Sequence, residues 1–228
     1  MNPLSKRLNT ALLLLPKCEV IADIGCDHGQ LSAALILSGK CKRVIAADIS
    51  AGSLQKARVR AERLELSSQI DTRIGDGMAV LVPLEVQAAL IAGMGGMVIA
   101  GILERGEEVA RGLNAIVMQC MSDAVTLRKF LRENGYVIDD EVLIKERGRI
   151  YPTIRARSGE SVPGGYPEDL LGAINLKKRD PLAEQLGQRY LKALDDALMQ
   201  LEQNGNQQAR MDEIQMMRRQ IREAITWR

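Results

Sequence analysis

Asp23 stands where an apolar run, Val20 to Ile24, breaks into Gly25-Cys26-Asp27-His28-Gly29, and Asp48 closes a second such run that starts at Arg43. A carboxylate at the end of each of two successive apolar runs, with glycines after the first, is chemistry suited to a nucleotide-like ligand. A strand that stops at a tight turn brings backbone N–H groups and a helix N-terminus to the sheet's carboxyl edge, and a carboxylate on the next strand can take both hydroxyls of a ribose. Gly75-Asp76-Gly77 and Gly93-Met94-Gly95-Gly96 follow two later apolar runs, so four strand ends supply acids or glycines.

The spacing discriminates between ligands. A dinucleotide fingerprint laid on Gly25 would need glycine at Asp27 and Gln30, which disfavours a dehydrogenase. The methyltransferase pattern, an acid followed by three alternating glycines, matches Asp23, Gly25 and Gly29 and fails only at Asp27. Aspartate tolerates the left-handed backbone that glycine would adopt there. S-adenosylmethionine carries a cationic amino group and a sulfonium, with no pyrophosphate, so its site needs a carboxylate more than a phosphate cradle. The competing reading is an ordinary strand-to-helix turn in which each aspartate caps a helix.

Composition sets outer bounds. The chain has 228 residues, 31 basic and 29 acidic, for a net charge of +2 that neither demands nor excludes nucleic acid. That length fits one α/β domain and a small appendage. Cys18, Cys26, Cys41 and Cys120 show no C-x-x-C spacing, and with His28 the sole histidine no metal site is expected. Reduced thiols and a cytoplasmic location follow. Lys6, Arg7 and Leu12 to Leu15 imitate a signal peptide, but Lys17 follows directly and no cleavage site appears. An amphipathic helix from Pro3 to Leu15, ended by Pro16, is the better reading, and no run reaches the length of a membrane span.

Strands and helices must alternate to position these groups. Strands are predicted at Val20–Ile24, Arg43–Asp48, Ile70–Ile74, Ala88–Ala92 and Ala115–Gln119, with helices over Gln30–Ser38, Ser53–Leu64 and Thr126–Asn134. Tyr136–Glu146 and Arg149–Arg157 read as two strands around an Arg147-Gly148 turn, an antiparallel pair that completes the methyltransferase variant of the doubly wound sheet. Pro152 is awkward within a strand, because it cannot donate to a ladder. Ser158 to Pro167 is rich in turn formers and reads as a linker. Beyond Pro181, Leu182, Leu186, Tyr190, Leu194, Ala197, Leu198 and Leu201 share one helical face, Asn204-Gly205-Asn206 interrupts, and Met211, Ile214, Met217, Ile221 and Ile225 mark a second helix. That is an antiparallel coiled-coil hairpin, either a self-packing or weakly dimerising element or an RNA-clasping arm.

Asp23-Ile-Gly-Cys-Asp-His-Gly29, Ala47-Asp-Ile-Ser50, Gly75-Asp-Gly77, Ile91-Ala-Gly-Met-Gly-Gly96, the Leu127 to Tyr136 stretch and Lys145-Glu-Arg-Gly-Arg-Ile-Tyr151 together resemble the bacterial tRNA (adenine-22-N1)-methyltransferase family. The resemblance implies a Rossmann-like class I methyltransferase fold with a mostly parallel seven-stranded sheet over residues 1–157. It also implies a C-terminal helical coiled-coil domain within residues 158–228. S-adenosylmethionine would be the cofactor and tRNA the partner, with the chain a monomer or weak homo-oligomer. In the family a Pro-Asn pair usually follows the glutamine after the fifth strand, and an acid commonly follows the hairpin tyrosine. Here Cys120-Met121 and Pro152 stand instead, which touches the outer substrate surface more than the cofactor site.

Carried over residue by residue, Asp23 would hold the methionine amino group, Gly25, Cys26 and Gly29 would admit the ligand to the backbone, and Asp48 would hold the ribose diol. Ile49 would pack on adenine, Asp76 and Gly77 would contact its amino group, and Gly93 and Met94 would complete the cofactor side. Gly95 and Gly96 sit where related methylases carry an acceptor side chain, so the target base would meet only backbone and Met94 there. Asp27, His28 and Met94 are candidates for positioning it, although Asp27 and His28 also suit plain turn chemistry. Arg128, Lys129, Arg132, Lys145, Arg147 and Arg149 would grip RNA, joined by Arg155 and Arg157 and extended by Lys177 to Arg179. Scarce aromatics argue against a single-strand stacking platform. The rival readings are methylation of another RNA or a small molecule, and a non-catalytic S-adenosylmethionine-binding module that acts through its helical arm.

Overall fold

The computed structural model describes residues 3–160, 164–204 and 207–226. Two compact units divide the chain, Met1–Val162 and Pro163–Arg228. In the first unit, β1 (Val20–Ile24), β2 (Arg43–Asp48), β3 (Ile70–Ile74), β4 (Ala88–Gly95) and β5 (Ala115–Ser122) are parallel, and β6 (Tyr136–Glu146) and β7 (Arg149–Ser158) form the antiparallel pair. The strand order β3-β2-β1-β4-β5-β7-β6 makes one seven-stranded sheet. The chain winds outward from β1 to β3, then returns to the other side of β1 with β4. The crevice at the carboxyl ends of β1 and β4 is therefore the ligand position for an open α/β sheet.

Side chains alternate across the strands into two cores. Ile24, Ile45, Ala47, Ile91, Ile116 and Met118 pack on one face with α4 (Gly96–Arg105) and α6 (Ala124–Glu133). Ile21, Val44, Ala46, Leu90 and Val117 pack on the other with α1 (Lys6–Leu14), α2 (Gln30–Leu37) and α3 (Ala51–Arg63). A period of two with both faces covered is why these strands read as continuous apolar runs. A short α5 (Glu107–Arg111) precedes β5.

Several elements depart from the boundaries that periodicity predicts. α1 starts at Lys6 rather than Pro3, and Lys40 Nζ satisfies its last carbonyls at Leu13 (3.0 Å) and Leu15 (2.5 Å). β4 continues through Gly93, Met94 and Gly95 with register slips on either side of Met94, so the glycine run is a bulged strand end rather than a free loop. Pro152 lies opposite Leu143 of β6, one residue beyond Thr153, where the β5 ladder stops. There β7 has a neighbour on one side only, which accommodates a residue with no N–H. Arg147 and Gly148 both have positive φ, 47° and 77°, as a two-residue hairpin turn requires.

The predicted linker spans the boundary between the units and holds structure at both ends. β7 includes Ser158 and α7 (Tyr166–Leu171) begins before the linker was expected to finish, while its centre, residues 161–163, lies outside the described residues. A further short helix, α8 (Ala173–Lys177), precedes α9 (Pro181–Asn204) and α10 (Gln208–Ile225). Of the predicted interruption, Gly205 and Asn206 also lie outside the described residues. The helices pair antiparallel, with Arg218 Nη2 2.5 Å from Asp195 Oδ1. Of the predicted α9 face Leu198 is buried, while nearer the start of the helix the buried residues are Ala183, Gly187 and Leu191, one position round from the predicted Leu182, Leu186 and Tyr190. Gly187 explains the rotation: a β-carbon there would lie 2.8 Å from Ile225, so the absent side chain lets α10 approach closely.

Candidate active site

The first turn is locked onto the neighbouring strand. Gly25 and Cys26 donate their N–H groups to the carbonyl of Ala47 at 2.8 and 3.0 Å, extending the pairing past the end of β1. Gly25, Asp27 and Gly29 have φ of 71°, 48° and 64°, so Asp27 takes the left-handed conformation in place of a glycine. The Asp48 carboxylate then ties both turns together. Its Oδ2 accepts from the Asp27 N–H at 3.0 Å and its Oδ1 from the Ser50 N–H at 2.8 Å. Each oxygen keeps a further lone pair, enough for a pair of hydroxyls.

Asp23 is 1% exposed and accepts from Ser32 Oγ at 2.5 Å. Burial raises its pKa to about 6; the hydrogen bonds from Ser32 oppose that rise and the charge of Asp48 adds to it. Among the described residues no lysine or arginine neutralises it. A carboxylate held out of water beside a second carboxylate is stabilised by an incoming cation.

Across the crevice, Met94 reaches over the turn. A β-carbon placed on Gly25 would lie 2.0 Å from Met94 Cε. The bulge that carries Met94 is held from below by Gln119, a fully buried side chain whose Oε1 accepts from the Gly93 N–H at 3.2 Å and from Arg7 Nη1 at 2.8 Å. Gly96 is a packing glycine, since a β-carbon would lie 2.1 Å from the carbonyl of Asp123; Gly95 faces Ser122 Oγ at 3.0 Å by the same measure.

On the outer side, Ile49 is 73% exposed at the end of β2, free to cover a planar ring. Asp76 and Gly77 follow β3, with Asp76 gripped by Arg105 Nη2 at 3.0 and 3.2 Å from its two oxygens, a partner its spacing did not predict. Gly77 packs against Ile102. His28 is held by α3: Arg60 Nε donates to its carbonyl at 2.7 Å, and Lys56 Nζ lies 3.0 Å from Nε2. Asp27 Oδ1 lies 3.3 Å from the same nitrogen. Burial pushes the Cys26 thiol up, and those of Cys41 and Cys120 to about 12, so these sulfurs stay protonated and unreactive.

The predicted basic residues separate into distinct sets. Arg128 does not lie on the surface: it is 2% exposed and its Nε and Nη2 bind Glu141 Oε1 at 2.8 and 2.5 Å, because its place on α6 faces β6 rather than solvent. Lys129 is exposed and lies 4.0 Å from Glu133, and Arg132 is half-buried on the same helix. Arg155 and Arg157 both turn to Asp139, at 2.7 and 3.7 Å. Lys145, Arg147 and Arg149 are exposed together at the β6–β7 hairpin end. β7 runs past its last partner on β5, Gln119, so this end projects beyond the carboxyl edge next to Gly93. Lys177, Lys178 and Arg179 are exposed in the second unit.

Residues 4–154 match the family described as a methyltransferase domain. Over 157 residues the chain is 38% identical to the Bacillus subtilis tRNA (adenine(22)-N(1))-methyltransferase, an alignment covering 69% of this chain and 66% of that protein. The crystal structure of the B. subtilis M1A22 tRNA methyltransferase TrmK superposes with a TM-score of 0.90 at 30% identity, covering 99% of this chain and 100% of that one. The chain belongs to the tRNA (adenine-22-N1)-methyltransferase family. Another solved relative, Mycoplasma capricolum TrmK in complex with S-adenosyl-homocysteine, matches with a TM-score of 0.85 at 25% identity over 97% of each chain.

The residues present fit this family's sulfonium cofactor on their own chemistry. The uncompensated carboxylate of Asp23 suits a cationic amino group, and over the bare backbone of Gly25 lies only the flexible end of Met94. Sequence reasoning missed Ser32, Arg105, Arg7 and Gln119. Ser32 had a signal, a hydroxyl inside the otherwise apolar α2; the others act across long sequence separations that no local pattern marks.

Proposed function

We propose that this protein methylates N1 of an adenine in tRNA, at position 22, using S-adenosylmethionine. The observation that carries the reading is the meeting of Asp23, Gly25, Asp48 and Met94 at the β1/β4 switch point, in a chain whose relatives are tRNA adenine-N1 methyltransferases. Asp23 holds the amino group of the cofactor's methionine part, Asp48 its ribose diol, and Ile49 one face of its adenine. Asp76 takes the adenine amino group, for which Arg105 must share or release the carboxylate.

When bound, the cofactor supplies an electrophilic methyl group on sulfur, and adenine N1 already presents a lone pair, so transfer needs alignment and desolvation rather than proton removal. The chain's residues match that demand. Around the bulge Met94, Gly95 and Gly96 offer no titratable side chain, and Met94 excludes water from the space over Gly25. His28 is held in the turn by Arg60 and Lys56 and serves its geometry rather than proton transfer. Asp27 serves the same turn through its backbone N–H.

The target base must leave its stack to reach this crevice, which requires a grip on the surrounding RNA. Lys145, Arg147 and Arg149 at the projecting hairpin supply it through phosphates, with Lys129 and Arg132 secondary. Among the described residues no helix is long and apolar enough to cross a membrane, in keeping with work on cytoplasmic tRNA. Tritiated methyl transfer to unmodified total tRNA, followed by nucleoside analysis, tests the reading: labelled N1-methyladenosine supports it, and label in any other nucleoside or none overturns it.

A further inference from the structure

We propose that Arg7 is a positioning residue for methyl transfer, acting through Gln119 on the Gly93–Gly95 bulge that carries Met94. The proposal rests on the methyltransferase reading above and assigns part of its rate to a helix outside the β-strand ends.

α1 packs against β4 to β7 and brings Arg7 to the carboxyl edge. Arg7 Nη1 donates to Gln119 Oε1 at 2.8 Å, and the same oxygen accepts the Gly93 N–H at 3.2 Å. Gln119 Nε2 in turn donates to the carbonyl of Cys120 at 2.7 Å. A bulge removes ladder partners from the bulged residues, so an N–H at Gly93 needs another acceptor. An amide can present either its oxygen or its NH2 group to that N–H, and only the oxygen satisfies it. A guanidinium carries donors alone, so Arg7 fixes the amide in the productive orientation. On its other side Arg7 Nε lies 3.4 Å from Glu146 Oε2, and Glu146 Oε1 accepts the Lys6 N–H at 2.8 Å.

This pairing has a second consequence for the reaction. Methylation at N1 leaves a positive charge on the adenine ring, and an uncompensated guanidinium beside Gly93 would oppose it. Glu146, itself mostly buried, neutralises Arg7 and anchors it to the β6–β7 hairpin. The N-terminal helix, the basic hairpin and the Met94 bulge are thus joined through one side chain.

The test compares Arg7→Met, Arg7→Lys and Glu146→Gln with the wild-type chain by single-turnover methylation of tRNA, S-adenosylmethionine and tRNA binding, and thermal melting. Arg7→Met is expected to bind both ligands within about threefold of wild type and to lose at least about tenfold in the methylation rate, the split expected of lost positioning. Arg7→Lys recovers part of the rate, because an ammonium can still donate to Gln119, and Glu146→Gln slows the step while leaving that donation in place. If Arg7→Met fails to fold, Arg7→Lys decides: an intermediate rate supports the proposal and a wild-type rate overturns it. An Arg7→Met protein with wild-type rate, or with a loss confined to tRNA affinity, overturns it alone. A wild-type chain inactive on tRNA overturns the functional reading and this proposal with it.

Discussion

Gly25 and Met94 share one space: a β-carbon on Gly25 would sit 2.0 Å from Met94 Cε, across the gap between the ends of β1 and β4. Two separate penalties follow for Gly25→Ala. The side chain collides with a flexible methionine end, and φ of 71° costs an L-residue about 1–2 kcal/mol. The variant should fold yet lose at least about tenfold in S-adenosylmethionine affinity. Adding Met94→Ala removes the collision and leaves the strain, so affinity should recover only in part by calorimetry. Full recovery would show that backbone conformation at Gly25 does not matter.

Asp23 makes stability depend on pH in an unusual direction. Its folded pKa of about 6 lies above the ordinary 3.8, so the folded chain holds this proton more tightly than the unfolded chain. Well below pH 3.8 both states are protonated and the group costs nothing. As pH rises toward 6 the unfolded state ionises first and folding weakens, and above 6 the full cost is about 3 kcal/mol. Asp23→Asn should therefore stabilise the ligand-free protein far more at pH 7.5 than at pH 4, as read by urea titration. An equal effect at both pH values contradicts this.

The same group predicts proton-linked binding. A cation stabilises ionised Asp23, so cofactor affinity should climb from pH 4.5 to 6 and then flatten as the carboxylate becomes ionised without help. Calorimetry in two buffers of different ionisation heat should detect proton release at pH 5 and none from Asp23 at pH 7.5. A flat affinity across that range would remove Asp23 from the cation site.

Asp48 has two duties that one substitution separates in size. Asp48→Ala should weaken cofactor binding by about 100-fold, near 2.7 kcal/mol, through loss of the charged acceptor for the diol. It should lower stability by only about 1 kcal/mol through the freed N–H groups of Asp27 and Ser50, which water can reach. A stability loss larger than the binding loss would make Asp48 a turn residue first.

Arginines that look alike in the sequence should behave oppositely. Glu141→Ala leaves Arg128 buried without its carboxylate and should cost about 3–5 kcal/mol in urea unfolding. Arg147→Ala and Arg149→Ala should change stability by no more than about 0.5 kcal/mol. Each should instead reduce the slope of log tRNA affinity against log salt by about 1. An unchanged slope would remove the hairpin from the RNA grip.

Much of this was legible in the residues because burial on both faces writes itself into composition. β1, β2, β3 and β6 fall on their predicted bounds, and Asp23, Gly25 and Asp48 come together as their strand positions require. What stayed illegible depends on contacts between distant segments. α4 begins in a glycine run that resembles a loop, and Gly96 is needed there because Asp123 crowds it. Arg128 reads as a surface cation until Glu141 from β6 is placed against it. On α9 Leu198 is buried as its spacing predicts, but Gly187, which looks like a defect in the stripe, packs against Ile225 of α10 and turns the start of that face by one position.

In the proposed reaction the crevice at β1 and β4 delivers a methyl group to one Watson–Crick edge of tRNA. Reverse transcription reads that edge directly, because a methyl on adenine N1 blocks pairing. Unmodified tRNA incubated with the protein and S-adenosylmethionine should give a new stop at adenine 22, absent without cofactor and much reduced with Asp48→Ala at limiting cofactor. No stop on any tRNA, or a cofactor-dependent stop at another position, would contradict it.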